Sequence, residues 1–170
     1  MTKDIAIRNE EPCDLDTITQ LTKSAFESKS FSSHTEHFII NALRRADLLT
    51  ISLVALVDNA IVGHVAISPV TISSGISGWY GLGPISVSPE HQGQGIGSKL
   101  MTASLAELQH LGGLGCVLLG NPAFYGRFGF KAHPSLVLDG VPPEYFQVLS
   151  FGSDVPSGTV HFHEAFNATS

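Results

Sequence analysis

Val87-Ser88-Pro89-Glu90-His91-Gln92-Gly93-Gln94-Gly95-Ile96-Gly97-Ser98-Lys99-Leu100-Met101 occupies the middle of the chain. Glycines 93, 95 and 97 stand between an apolar run ending at Val87 and a long amphipathic segment, Ile96 to Leu111. A strand–loop–helix junction of this kind leaves the first N–H groups of the helix unpaired beside the positive end of its dipole, a ready receptor for an anion. Without Cβ atoms in the way, a phosphate or pyrophosphate can approach the main chain, and with no lysine in the loop the donors are backbone groups. A P-loop would need Gly-Lys-Ser/Thr and a dinucleotide fingerprint Gly-x-Gly-x-x-Gly, and neither is present. Taken alone, the loop is equally readable as a tight turn, so its surroundings must decide.

Working outward, Trp79 to Val87 predicts a strand stopped by Ser88 and Pro89, with Pro84 removing a ladder hydrogen bond inside it. A bulge or a splaying from the neighbouring strand is expected near Gly83 and Pro84. Leu49 to Val57 and Ile61 to Ile72 predict an antiparallel hairpin turning at Asp58 and Asn59. Upstream lie a short strand, Ile5 to Arg8, and a helix with Leu15, Ile18, Leu21, Ala25 and Phe26 on one face. A second helix carries Phe38, Ile39, Ala42 and Leu43, and Ser33 and Glu36 predict a capping box at its start.

Downstream, the helix from Ile96 turns Leu100, Met101, Leu105, Leu108 and Leu111 inward and stops at Gly112 and Gly113. A buried strand, Gly115 to Leu119, and a helical turn from Asn121 to about Gly129 follow, and Phe130 onward is expected to re-enter the sheet. The last forty residues predict short strands at Val137 to Leu138, Phe146 to Phe151 and Thr159 to Phe162. The expectation is one α/β (α+β) domain over residues 1–170.

Composition narrows the partners. The chain has 170 residues, 43% hydrophobic and 14% charged, enough for one full core. Nine Lys and Arg against fifteen Asp and Glu give a net charge of −6, with no basic run to track phosphates, so nucleic acid is not expected as a partner. An acidic chain draws cations, which favours amines as substrates. Met1 to Glu10 has no apolar core of a leader and no window is long enough to span a bilayer, so no membrane association and a cytoplasmic location are expected. Cys13 and Cys116 form neither a CxxC motif nor a disulfide framework, and Cys116, in an apolar run, is expected in the core.

With these pieces in place, the stretch from Val87 to Met101 resembles the acyl-CoA binding motif of the GNAT superfamily of N-acetyltransferases, Gln/Arg-x-x-Gly-x-Gly/Ala, at Gln92 to Gly97. A second block, Asn121-Pro122-Ala123-Phe124-Tyr125-Gly126-Arg127-Phe128-Gly129-Phe130, resembles the family's Phe-Tyr-x-x-x-Gly-Phe block and follows at the expected distance. The likeness covers about residues 5–131, and residues 132–170 match only a subgroup of bacterial acetyltransferases. The resemblance implies a mixed, mainly antiparallel sheet whose fourth and fifth strands splay into a V, flanked by helices. It implies acetyl-CoA as cosubstrate and no metal. The pantetheine arm is then expected along Ile85 and Val87, the pyrophosphate on Gln92, Gly93, Gln94, Gly95, Ile96 and Gly97, with Asn121 and Tyr125 also at the cofactor.

Direct transfer to an amine needs an acid for the leaving thiolate, a donor for the oxyanion and a route for the amine proton. The resemblance implies Tyr125 as the acid. Family members often use a main-chain N–H of the fourth strand for the oxyanion, and since Pro84 has none, Ile85 is the expected donor. Many relatives carry a glutamate on that strand, but Leu82, Gly83, Pro84, Ile85 and Ser86 include no carboxylate. Glu27, His37 and His64 are the candidate bases, acting directly or through water. His161 and His163 share a strand face but lack a third ligand, so a polar or substrate-pocket face is expected there and not a metal site. Asn121 stands only three residues before Tyr125, which allows it to cap the short helix instead. An amine acceptor of unspecified identity and a possible homodimer complete the reading; the rival readings are a non-catalytic CoA-binding module, which would bind CoA without turnover, and an interaction protein without CoA affinity.

Overall fold

The computed structural model describes residues 4–30, 32–152 and 154–170. The elements in chain order are β1 (Ala6–Asn9), α1 (Leu15–Glu27), α2 (Glu36–Arg45), β2 (Ile51–Val57), β3 (Ala60–Ile72), β4 (Trp79–Val87), α3 (Ile96–His110), β5 (Gly115–Leu119), α4 (Pro122–Tyr125), β6 (Leu136–Val137), β7 (Phe146–Ser150) and β8 (Gly158–Phe162). The sheet runs β1-β2-β3-β4-β5-β7, with β8 pairing the far end of β3 and also β6. Within the main sheet only β4 and β5 pair in parallel, because α3 carries the chain back across one face between them.

Local chemistry explains the expected elements. Asp58 and Asn59 both take positive φ, 52° and 65°, the geometry a tight turn between twisted antiparallel strands demands. One sheet face, with Leu53, Ala55, Val65, Ile67 and Leu82, packs on Ile96, Leu100, Met101, Leu105 and Leu108 of α3. On the other face, Ile18 of α1 and Ile40 of α2 bury Val54. Cys116 is fully buried, as expected of a small core residue.

Three expectations are corrected. Leu111 is not inward: the helix ends at His110, Leu111 is its cap and stays 54% exposed, and Gly113 N–H closes onto the Leu108 carbonyl. No capping box forms at Ser33: Thr35 occupies the cap position of α2, while Glu36 accepts a hydrogen bond from Ser32 Oγ at 2.6 Å and Ser33 Oγ pairs with Thr35 Oγ1. Phe130 is buried and, as expected, the chain re-enters the sheet just beyond it, through a bridge from Lys131 to Val148 of β7. His161 and His163 do not share a strand face, since β8 ends at Phe162 and His163 Nδ1 caps the following turn by accepting from Ala165 N–H at 3.0 Å.

The disturbance expected at Pro84 is present. Val65 pairs with Ile85 and Ile67 with Leu82, so Ala66 alone opposes Gly83 and Pro84. On its other edge β4 pairs with β5 only from Trp79 to Gly81, and beyond that point the two strands part.

Candidate functional site

The parting of β4 and β5 opens a cleft of about 1300 Å³. Leu82, Gly83, Pro84 and Ile85 line one wall, and Leu119, Gly120, Asn121, Phe124 and Tyr125 line the other. Ser88 N–H donates to the Val62 carbonyl, so by strand alternation the Ser86 backbone faces β3 while that of Ile85 and Val87 faces the parted side. The Val87 carbonyl accepts from Gln92 Nε2 at 3.1 Å, which ties the start of the glycine loop to the strand end.

In the loop, Gly93 and Gly95 adopt φ of 80° and 85°, and a Cβ on either would meet only open space. Gly95 is the cap of α3, and its left-handed conformation turns the chain abruptly into the helix. Lys99 N–H is bonded to the Gly95 carbonyl at 3.1 Å, so the N–H groups of Ile96, Gly97 and Ser98 precede the first helical bond. The Ile96 side chain is 1% exposed and anchors the helix in the core, leaving only its backbone to the loop. Gly97 faces Phe124 and Val87, where a Cβ would come within 3.7 Å of the Phe124 ring. Gln94 is exposed and reaches only the Glu90 carbonyl, at 3.4 Å. The donor set is main-chain and cationic by dipole, which fits a pyrophosphate.

Tyr125 is held by shape. Its ring lies so close over Gly120 that any Cβ there would overlap it, and Gln147 Nε2 fixes the Gly120 carbonyl at 2.9 Å. Phe124 meets the Tyr125 ring edge-on at 4.9 Å. Burial raises the Tyr125 pKa, so the phenol stays protonated, and no group among the described residues hydrogen-bonds its hydroxyl. Asn121 lines the same wall, yet its Oδ1 accepts from Ala123 N–H at 2.9 Å, so the side chain also caps α4.

None of the three candidate bases lines the cleft. Glu27 is exposed at the end of α1; His37 is buried against Phe38, where burial lowers its pKa. His64 is fully buried, with Nε2 2.7 Å from Ser52 Oγ, and burial pushes its pKa down to about 4. The titratable groups that do line the cleft beside Tyr125 are Glu36, Asp139, His161 and Tyr145. Glu36 stood in the sequence as a helix-start residue and Asp139 carried no signal, because β8 and the segment around Asp139 reach the cleft only through the fold.

The segment 49–132 matches the acetyltransferase (GNAT) domain model. The chain is 36% identical over 168 residues to the N-acetyltransferase YhbS of Escherichia coli K12, a protein named as uncharacterized, covering 95% of this chain and 98% of YhbS. The chain belongs to the GNAT family of N-acetyltransferases. A GNAT acetyltransferase from Brucella melitensis, solved in complex with acetyl-CoA, is 48% identical with a TM-score of 0.86, covering 96% of this chain and 99% of that one. YhbS from Escherichia coli, solved with CoA, superposes with a TM-score of 0.88 at 32% identity, covering 100% of this chain and 96% of YhbS. The mixed sheet with its parallel β4–β5 pair and flanking helices is the GNAT fold, and the chain is a GNAT-type acetyltransferase. Among the described residues no helix is long and apolar enough to cross a membrane. Phe146 is buried and Leu149 and Phe151 pack on this domain's own core.

Proposed function

We propose that the protein transfers the acetyl group of acetyl-CoA directly to an amine, both substrates being bound at once and no acyl-enzyme forming. The observation that carries this reading is the backbone edge of Ile85 and Val87, which no strand among the described residues pairs on the parted side, where only the Gln92 side chain holds the Val87 carbonyl, and which leads to the N-terminus of α3. A cleft of about 1300 Å³ exceeds the roughly 300–1,000 Å³ of a site for one small ligand, which supports room for donor and acceptor together.

In this reading the N–H groups from Gln92 to Gly97 receive the pyrophosphate, and the backbone of Ile85 and Val87 pairs with the pantetheine amides. The Gln92 side chain releases the Val87 carbonyl as the arm enters, a one-for-one exchange of amide donors. The amine nitrogen attacks the acetyl carbon, and the carbonyl oxygen gains charge against the Ile85 N–H. As the C–S bond breaks, the Tyr125 hydroxyl gives its proton to the thiolate, and the amine's surplus proton leaves to water. Asn121 positions the turn that carries Tyr125. Acceptor recognition falls to the ends of α1 and α2 and to the C-terminal strands.

The test is calorimetric titration of acetyl-CoA into the full chain together with thiol release in the absence of acceptor. Binding is expected for the wild type and its loss in Gly95→Glu, where a side chain would be forced onto φ of 85° and a negative charge placed in the loop. Failure of the wild type to bind acetyl-CoA would end this reading.

A further inference from the structure

The cleft has a second half, on the sheet face away from α3, that the cofactor reading leaves unassigned. Phe26 from the end of α1 and Glu36 from the start of α2 line it together with Phe162 of β8 and Phe166 of the last turn, the latter packed on Ile39 and Leu43 of α2. Phe162 lies against β4 itself: a Cβ on Gly81, two residues before the bulge, would come within 2.5 Å of the ring, so the glycine is what admits it. Phe166 meets Phe162 at 4.9 Å between ring centres and an angle of 52°. These rings make an apolar slot at the open end of the V, next to where Ile85 and Tyr125 face each other.

The ionisable side chains that line the slot include two carboxylates, Glu36 and Asp139, together with the imidazole of His161. Glu36 is half-buried; its Oε2 accepts from Ser32 Oγ, and no hydrogen bond to its Oε1 comes from the described residues. Asp139 stands exposed at the mouth, and among the described residues neither lysine nor arginine lines the cleft. A carboxylate on the incoming molecule would meet two like charges, whereas an ammonium would meet two opposite charges and the faces of aromatic rings.

We propose that the acceptor is a primary amine carried on a flat apolar body and lacking a carboxylate, an arylalkylamine in chemical class, its ring between Phe26 and the Phe162–Phe166 pair and its nitrogen on the Glu36 side. This rests on the acetyl-CoA reading above and adds the acceptor to it. The aromatic pair favours an edge-to-face partner, and burying a ring there separates this class from short alkylamines.

The experiment measures thiol release by the full chain with acetyl-CoA and three probes: 2-phenylethylamine, phenylalanine and ethylamine. The first two differ by one carboxylate and the first and third by one ring. The wild type is expected to use 2-phenylethylamine with kcat/KM at least tenfold above either of the others. Glu36→Gln is expected to raise its KM at least fivefold and to narrow the preference over phenylalanine, and the exposed substitution Asp139→Asn to narrow it further; thermal unfolding of each variant checks that it is folded. Rates within threefold across the probes, or a preference unchanged in both variants, would overturn the proposal. Binding of acetyl-CoA with acetylation of none of the probes would also overturn it while leaving the donor reading in place, whereas absence of acetyl-CoA binding would remove both.

Discussion

His64 Nε2 and Ser52 Oγ lie 2.7 Å apart on adjacent strands, and their contact fixes the state of a buried polar chain. Ser52 has one proton and gives it to Glu10, whose carboxylate Arg44 grips through both Nε and a terminal nitrogen, at 3.0 and 2.8 Å. Burial opposes the charge on Glu10, but hydrogen bonds from Arg44 and Ser52 hold its carboxyl below the usual range. Nε2 of His64 must therefore carry the imidazole proton, leaving Nδ1 bare and without a partner among the described residues.

This arrangement predicts an acid-sensitive fold. Burial lowers the His64 pKa from 6.5 to about 4, so between those values the unfolded chain binds a proton that the folded chain refuses. Stability is then full above about pH 6.5 and falls as pH drops toward 4. Urea unfolding at pH 7 and pH 5 is expected to differ by about 2 kcal/mol, the lower pH being weaker. His64→Gln should flatten that difference; an equal slope in the variant would refute the assignment.

Tyr125→Phe removes the only proton the ring can give while keeping its packing over Gly120. Acetyl-CoA affinity is expected within about threefold of wild type, and thiol release to fall by about 10²–10³. Stopped assays with calorimetry on the same preparation separate the two effects. Unchanged thiol release would remove Tyr125 from the acid role.

Gly120→Ala puts a methyl where the Tyr125 ring lies, at the end of β5. Overpacking of this kind costs about 1–3 kcal/mol, and the ring must move away from Gly120 to relieve it. A lowered melting temperature together with slower thiol release is expected. A stable and fully active variant would mean that the close approach does not position the phenol.

The two cysteines should separate cleanly. Cys13 is exposed, whereas Cys116 is fully buried and its thiol pKa is pushed up by that burial. A thiol reagent is expected to label one cysteine per native chain and both after denaturation. Thiol-release assays therefore need Cys13 replaced or blocked beforehand. Rapid native labelling at Cys116 would contradict its place between β4 and β7.

The β4–α3 side of the cleft, where the donor is proposed to bind, is legible in the sequence as local structure because its determinants are local. The Asp58-Asn59 turn, the proline in β4, the glycines before α3 and the Phe-Tyr block each act within a few residues of themselves. The other side, proposed for the acceptor, is not legible in the same way. Glu36, Asp139, Phe162 and Phe166 lie far apart in the chain and meet only once β8 has paired with the end of β3. Burial of His64 and His37 is likewise set by the fold, since their strand and helix faces turn them into the interior. Leu111 failed for a simpler reason, since apolar spacing says nothing of where the helix yields to Gly112.

The edge strand β7 runs antiparallel along all of β5, from Gly115 opposite Ser150 to Leu119 opposite Phe146. The stretch that matches the family model ends at residue 132, before β7 begins. A fragment trimmed to that stretch would leave the outer rim of β5 with unsatisfied amides and would strip Phe146, Val148 and Val160 from a shared apolar cluster. The most recognisable portion of this chain is therefore not a portable module, and grafting it elsewhere would transplant a surface primed for strand addition.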